Sequence, residues 1–449
     1  MKLSVIRFRR VVGLAVLAAL VGAVPGDAAP ALTTIAAGAS ASATAQRLFP
    51  PAVDSVSVSN LGDLTSGTRD LAFAAAAAAG VRAVEGRGYS IGLTRVARGN
   101  TVVQQASGAS GLWQFPMSVT ALPPEALAAV MGIDVSAAVA AGSVVMGQSS
   151  ADLRGARVGD VIDLVSVSGA IRSFTIGLIA ADSVVGGTEI VISTAQADQL
   201  GATLPTRVLI YGVSDRQGIE AALAARGLTT DRKVRVSRTW DLRSPDSTLS
   251  LIRTKLLLGE FDYSVNSSDA VSIDAGWVAA NLPAQRTAFS SIGVRARCHN
   301  ALTADLQAAL TDIANQGLSA QIDLTNTNTY GGCFNPRFNR IAANLGNLSR
   351  HTWAQAIDMN TVTNCIGCTP TWDCRVVRIF RAHNFAWGGN FLSRDGMHFE
   401  WVGEPRHTIQ FPSTYCPNLP GGQIETTSRD SSIRPEFFAD DGWNELSHE

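Results

Sequence analysis

The sequence predicts an α+β chain with two globular parts, a strand-rich mixed α/β domain over residues 50–245 and a second domain over residues 261–420. Three observations carry this. Short runs rich in Val, Ile and Leu recur between glycine turns in the first part. In the second, a helix-period segment is mixed with segments of period two. All six cysteines (Cys298, Cys333, Cys365, Cys368, Cys374 and Cys416) fall in the C-terminal third.

The 449 residues give room for two or three domains and a sizeable core. Residues 1–29 read as a signal peptide. Lys2, Arg7, Arg9 and Arg10 form a basic head, Val11 to Val24 an apolar run, and Pro25-Gly-Asp-Ala28 a small-residue cleavage region. The run is short for a membrane span, which needs about 20 residues. A secreted protein with no membrane span after signal removal is therefore expected. An even cysteine count confined to one exported domain points to up to three disulfides. Cys365-x-x-Cys368 with Cys374 is alternatively a thiolate set for a structural zinc. The formal net charge of −1 excludes the polycationic signature of a nucleic-acid partner.

Residues 30–48, rich in Ala, Ser and Thr, read as a linker. Ala72 to Ala79 is an alanine-rich helix ending at Gly80. Pro123 to Met131 is a second helix with Pro124 in its first turn. Val161 to Val167, Ser173 to Ile179 and Glu189 to Ser193 read as strands, with turns at Gly169 and Gly186-Gly187. Ala195 to Leu200 is a short helical piece and Arg207 to Tyr211 another strand. No catalytic, phosphate or metal motif occurs here, and no histidine precedes His299. The first domain thus reads as a spacer or as a surface for a protein partner.

Residues 246–260 form a connector of helical character, through Leu249, Leu251, Ile252 and Leu256. Asn300 is placed to cap a helix over Ala301 to Gln316, with Leu302, Leu306, Leu310 and Ile313 on one face and Gly317 as its stop. Leu318 to Leu324 reads as a strand and Val376 to His383 as a helix. Residues 421–449 are a polar tail.

The chemistry concentrates between Ser349 and Trp401. A catalytic zinc takes three protein ligands and leaves a position for water; His351, Asp358 and His398 supply two imidazoles and a carboxylate. A continuous helix would put His351 and Asp358 about 10 Å apart along its axis. A continuous strand would put them on opposite faces. A shared metal therefore requires a bend near Thr352-Trp353-Ala354-Gln355. Ala356, Asp358 and Asn360 then alternate with Ile357 and Met359 as a strand. His398 and Glu400 share a face of a second strand, which follows the Gly388-Gly389 turn, so Glu400 is placed to orient a ligand from behind. Asp395, three residues before His398, is within reach of water at the metal as general base. His299, His383, His407 and His448 lack such company and read as ordinary core or surface residues. No His-Glu-x-x-His pattern occurs.

Leu348-Ser-Arg-His-Thr-Trp-Ala-Gln-Ala-Ile-Asp-Met-Asn360, Phe385-Ala-Trp-Gly-Gly-Asn390 and Asp395-Gly-Met-His-Phe-Glu400, with Tyr330-Gly-Gly-Cys-Phe-Asn-Pro-Arg337 upstream, resemble the M15 peptidases. These are zinc D-alanyl-D-alanine carboxypeptidases and peptidoglycan endopeptidases of the VanY and phage-endolysin type. The resemblance implies a fold of the hedgehog/DD-peptidase type and Zn²⁺ held by His351, Asp358 and His398. It implies Asp395 as catalytic acid/base, Arg337 as the arginine that binds substrate and steadies the oxyanion, and Ser349 as a substrate contact. The implied substrate is the peptidoglycan stem peptide and the implied location the cell wall. Carboxypeptidase and endopeptidase readings both stay open, as does a non-catalytic wall-binding scaffold. Ala354 stands where the family usually has glycine; if that position takes a positive φ, the alanine costs about 1 kcal/mol.

Overall fold

A computed structural model describes residues 53–107, 112–231, 233–267, 269–289, 291–324, 332–340 and 345–424. The expected signal peptide, the linker, Tyr330, His448 and most of the polar tail lie outside these residues.

The first part opens with β1 (Ser55–Asn60), α1 (Ser66–Ala78), the long β2 (Arg82–Arg98), β3 (Thr101–Gln105) and β4 (Phe115–Ala121). Then come α2 (Pro124–Val130), α3 (Ile133–Ala140), β5 (Val144–Gly147), α4 (Gln148–Arg154), β6 (Val161–Val165) and β7 (Ile171–Ala180). It closes with α5 (Asp182–Val185), β8 (Ile190–Ile192), α6 (Thr194–Gln199), β9 (Arg207–Tyr211), α7 (Arg216–Ala224) and β10 (Val234–Arg238). The expected strands and helices are present, with ends shifted by a few residues. The alanine helix starts earlier than expected because the Thr65 hydroxyl accepts the Thr68 N–H and caps it there.

Strand β2 organises this part. Its first residues pair with β9, which continues through β1 to β10 as an antiparallel sheet. Its later residues pair with both β4 and β6, and the circuit β2-β4-β8-β5-β7-β6 returns to β2, a closed six-stranded barrel. Closure removes free edges. Ile91, Leu93, Met117, Val144, Met146, Ile162, Ile176 and Ile190 belong to its buried core. The sequence concealed β2 because glycines interrupt it. Gly92 faces the Gln114 side chain so closely that a Cβ there would collide with it.

The second part contains α8 (Leu251–Leu258), β11 (Tyr263–Val265), β12 (Val271–Ile273), α9 (Ala275–Asn281), β13 (Thr287–Ala288) and β14 (Arg295–Ala296). These precede α10 (Thr303–Asn315), β15 (Ala356–Asp358), α11 (Cys374–Ala382), β16 (Phe385–Trp387) and β17 (His398–Trp401). Strands β15, β17 and β16 form an antiparallel sheet in that order. Phe399 in its middle strand packs on Phe380 of α11 at 4.2 Å between ring centroids and on Trp372 at 5.5 Å. Among the described residues no helix is long and apolar enough to cross a membrane.

Two local expectations change. His299, not Asn300, caps the turn leading into α10: its Nδ1 accepts the Ala301 N–H at 3.1 Å. Leu318 to Leu324 is not a strand but contains a 3₁₀ turn, Ser319–Gln321. Its buried residues, Leu318 and Ile322, are four apart, so both reach the core from a helical turn and not from a pleat. The cysteines pair as Cys298–Cys333, Cys365–Cys368 and Cys374–Cys416, which removes the thiolates a structural zinc would need.

Residues 246–260, expected as a connector, pack into the C-terminal core. Leu251 and Leu258 belong to it. The Leu258 carbonyl accepts the Trp277 indole N–H at 3.1 Å and lies 3.1 Å from His299 Nε2. The same stretch meets the barrel through a buried ion cluster. Lys255 Nζ lies 2.9 Å from both Glu189 Oε1 and Glu260 Oε1, and Arg154 pairs with the same two carboxylates.

Candidate active site

His351 sits in a 3₁₀ turn, Arg350–Trp353, opened by Ser349, whose hydroxyl accepts the His351 N–H at 3.3 Å. The turn stops at Ala354, with φ 53° and ψ 29°. That left-handed residue reverses the chain, so the bend lies where the spacing required it. It is held in place because its N–H donates to His351 O and its carbonyl accepts the His299 N–H, both at 3.1 Å. Beyond it β15 begins, and Asp358 Oδ2 returns to 3.1 Å from His351 Nε2.

The third residue arrives across the sheet. Antiparallel register sets Asp358 directly opposite His398, and His398 Nδ1 lies 3.2 Å from Asp358 Oδ1. One donor atom from each of His351, Asp358 and His398 lies within 4.8 Å of the other two.

The rings are fixed from behind. His351 Nδ1 lies 2.9 Å from the Cys333 carbonyl, which can only accept, so Nδ1 carries the proton and the Nε2 lone pair faces the cluster. Glu400 Oε2 lies 3.4 Å from His398 Nε2. Glu400 is itself held by Arg350 Nε and Gln355 Nε2, each at 3.4 Å. Glu400 thus stands behind His398 as the strand period implied. The part played by the Cys333 carbonyl had no signal in the sequence, since it rests on main chain carried in by the Cys298–Cys333 bridge.

Two observations test whether a divalent cation fits. His351 Nε2 is buried and, although Asp358 Oδ2 lies 3.1 Å away, makes no hydrogen bond among the described residues. The electrostatics also favour positive charge at this point. Burial opposes ionisation of Asp358, but the two imidazoles outweigh it and hold the carboxyl well below its usual range. Burial likewise opposes a charged His398, yet Asp358 and Glu400 raise its pKa well above the ordinary histidine value. Two imidazoles and a carboxylate make a zinc donor set, and the residues fit the ion.

Asp395 is buried, and its Oδ1 has no hydrogen-bond partner among the described residues. Burial pushes its pKa up to about 6; the Asp358 charge adds to this, while His398, His351 and Arg337 oppose it. Arg337 belongs to the same electrostatic neighbourhood. Burial and Arg340 lower its pKa, and Asp358, Asp269 and Asp395 act to raise it. Its carbonyl accepts the Ser349 N–H and the Thr352 hydroxyl, each at 3.0 Å, which fixes its backbone beside the His351 turn. Arg340, the nearby alternative, is exposed and lies 3.8 Å from Asp269. Ser349 is buried and serves as the cap of the turn.

Residues 343–401 match the M15 peptidase family model described as D-alanyl-D-alanine carboxypeptidase. The similarity to M15 peptidases thus lies in the C-terminal region. The matched span includes Ser349, His351, Asp358, Asp395 and His398. Arg337 and the Cys333 carbonyl precede it, and they are brought to the site by isolated bridges of Gly332 to Asp358 and of Phe338 to Leu348. M15 peptidases are generally zinc-dependent hydrolases, which agrees with the His-Asp-His cluster. No curated protein matches the chain.

Proposed function

We propose that this protein is a secreted zinc metallopeptidase that cleaves peptidoglycan stem peptides outside the cytoplasm, in the manner of a D-alanyl-D-alanine carboxypeptidase. The observation that carries the reading is the convergence of His351, Asp358 and His398 beside a buried carboxylate, Asp395, whose Oδ1 has no hydrogen-bond partner among the described residues. Three disulfides favour an oxidising compartment.

In this reading His351, Asp358 and His398 hold the metal. When bound, zinc supplies Lewis-acid polarisation of the scissile carbonyl and of the attacking water. Asp395 takes the proton from that water and passes it to the leaving amine, the two tasks of a general base and general acid. Arg337 offers its guanidinium to the carbonyl oxygen as that atom gains negative charge. Ser349 contributes through the turn that holds His351 and, by family resemblance, as a substrate contact.

The test is cleavage of a D-Ala-D-Ala-ended pentapeptide and of purified peptidoglycan, with products identified by mass. Release of D-alanine that stops with a chelator and returns with zinc is expected. Products cut only at cross-links would make the protein an endopeptidase, and intact substrate beside full zinc content would leave a wall-binding protein.

A further inference from the structure

Asp246 lies far upstream of the matched span, and its side chain is buried against the turn on which Asp395 rests. Four donors converge on it. Arg381 Nε donates to Oδ1 at 2.8 Å and Arg381 Nη2 to Oδ2 at 2.6 Å. The Trp387 N–H donates to Oδ1 at 3.1 Å, and Asn390 Nδ2 donates to Oδ2 at 2.7 Å. The last two bonds grip both ends of the Gly388–Asn390 turn.

That turn is the seat of the general-base residue. The Gly388 carbonyl accepts the Asp395 N–H at 2.8 Å. A Cβ at Gly388 would stand 2.5 Å from the Asp395 carbonyl and 3.1 Å from His398 Cβ, so the turn and the Asp395–His398 segment lie in van der Waals contact with no slack. The Trp387 indole N–H donates to Gly396 O at 2.8 Å, a second tie between the two segments. Displacement of the turn therefore carries Asp395 with it. A carboxylate accepting several buried hydrogen bonds is a stiff support, because each broken bond strands a buried donor.

We infer that Asp246 is a positioning residue for catalysis, acting through the Gly388–Asn390 turn on Asp395. This rests on the proposed peptidase reading for its kinetic consequence but not for its structural one. It also gives Asp246, which the sequence placed in a link, a task in the site.

Two variants test it in the full-length chain. Asp246→Asn removes the charge and one acceptor set; Asn390→Ala removes the grip on the far end of the turn, together with the two Asn390 bonds to the Tyr415 backbone, while leaving the Asp246–Arg381 pair intact. Hydrogen exchange at the Asp395 amide is expected to quicken at least tenfold in both, with zinc content unchanged. In the cleavage assay kcat is expected to fall about 10- to 100-fold, as for lost support behind a site residue, with KM little changed. In an Asp395→Asn background Asn390→Ala is expected to cost nothing more, since its effect passes through the missing carboxylate. Unchanged exchange in folded variants, or fully additive kinetic losses, would overturn the assignment. Should Asp246→Asn fail to fold, Asn390→Ala decides alone. A wild-type chain that cleaves nothing refutes the peptidase reading only, and the exchange measurement still decides whether Asp246 holds the turn.

Discussion

Replacing Lys255 by methionine tests the seam between the barrel and the C-terminal core. Lys255 Nζ lies 2.9 Å and 3.1 Å from the two Glu189 oxygens and 2.9 Å from Glu260 Oε1. Arg154 Nη2 lies 3.2 Å from Glu189 Oε1 and also pairs with Glu260. Two cations balance two anions, and none of the four side chains is more than 6% exposed. Methionine keeps the volume and removes one cation, leaving a net negative charge in the interior. At an effective dielectric of about 20 and about 3 Å, each lost pair is worth roughly 5 kcal/mol. Relief of the lysine's own desolvation offsets several kcal/mol of that, so the expected net loss is about 3–5 kcal/mol. That is a large share of the 5–15 kcal/mol by which folded domains are usually stable. Urea unfolding followed by tryptophan fluorescence and circular dichroism measures it. Lys255→Met with Glu189→Gln restores neutrality and should recover at least about 1 kcal/mol. A single variant that loses under 1 kcal/mol, or a double variant no better than the single, would refute this account. The pH dependence has a definite sign. Burial acts to raise the Glu260 pKa, but Lys255 and Arg154 outweigh it and hold it below the usual value. This contribution is therefore full above the unfolded-state pKa and lost as pH falls through the lower folded one.

Three further outcomes are expected. Asp395→Asn should keep zinc near one per chain while kcat falls about 10²–10⁴-fold, measured by pentapeptide cleavage beside metal analysis; lost zinc would make Asp395 a ligand. His299 has its pKa lowered by burial, against the Leu258 carbonyl, and its Nδ1 must stay unprotonated to cap the Ala301 N–H. Its contribution should be full above pH 6.5 and decline as pH falls from there through its lower folded value, so melts at pH 7.5 and 5.5 should differ less in His299→Asn than in wild type. Ala354→Gly should be neutral or stabilising by up to about 1 kcal/mol with cleavage retained, because glycine takes the left-handed conformation without a Cβ penalty; a loss above 1 kcal/mol in thermal melts would contradict the strain assigned to Ala354.

The sequence by itself singled out His351, Asp358 and His398 and required a bend between the first two, because a seven-residue step brings them together on neither a continuous helix nor a continuous strand. That bend fell at Ala354, where the spacing required it. It also determined the face shared by His398 and Glu400, since strand period depends only on the chain's own geometry. Tertiary structure alone decided the rest. Closure of the barrel depends on β2 meeting β4 on one edge and β6 on the other, pairings between residues far apart in sequence. The cysteine partners depended on which loops meet, and six thiols allow 15 pairings. Leu318 and Ile322 left the strand pattern because the core lay on one side of a turn. Asp246 and the Cys333 carbonyl carried no signal at all. What each does depends on a neighbour brought in by the fold, Asn390 and Trp387 for the one and His351 for the other, and hydrogen bonds across such sequence separations have no periodic trace in the chain.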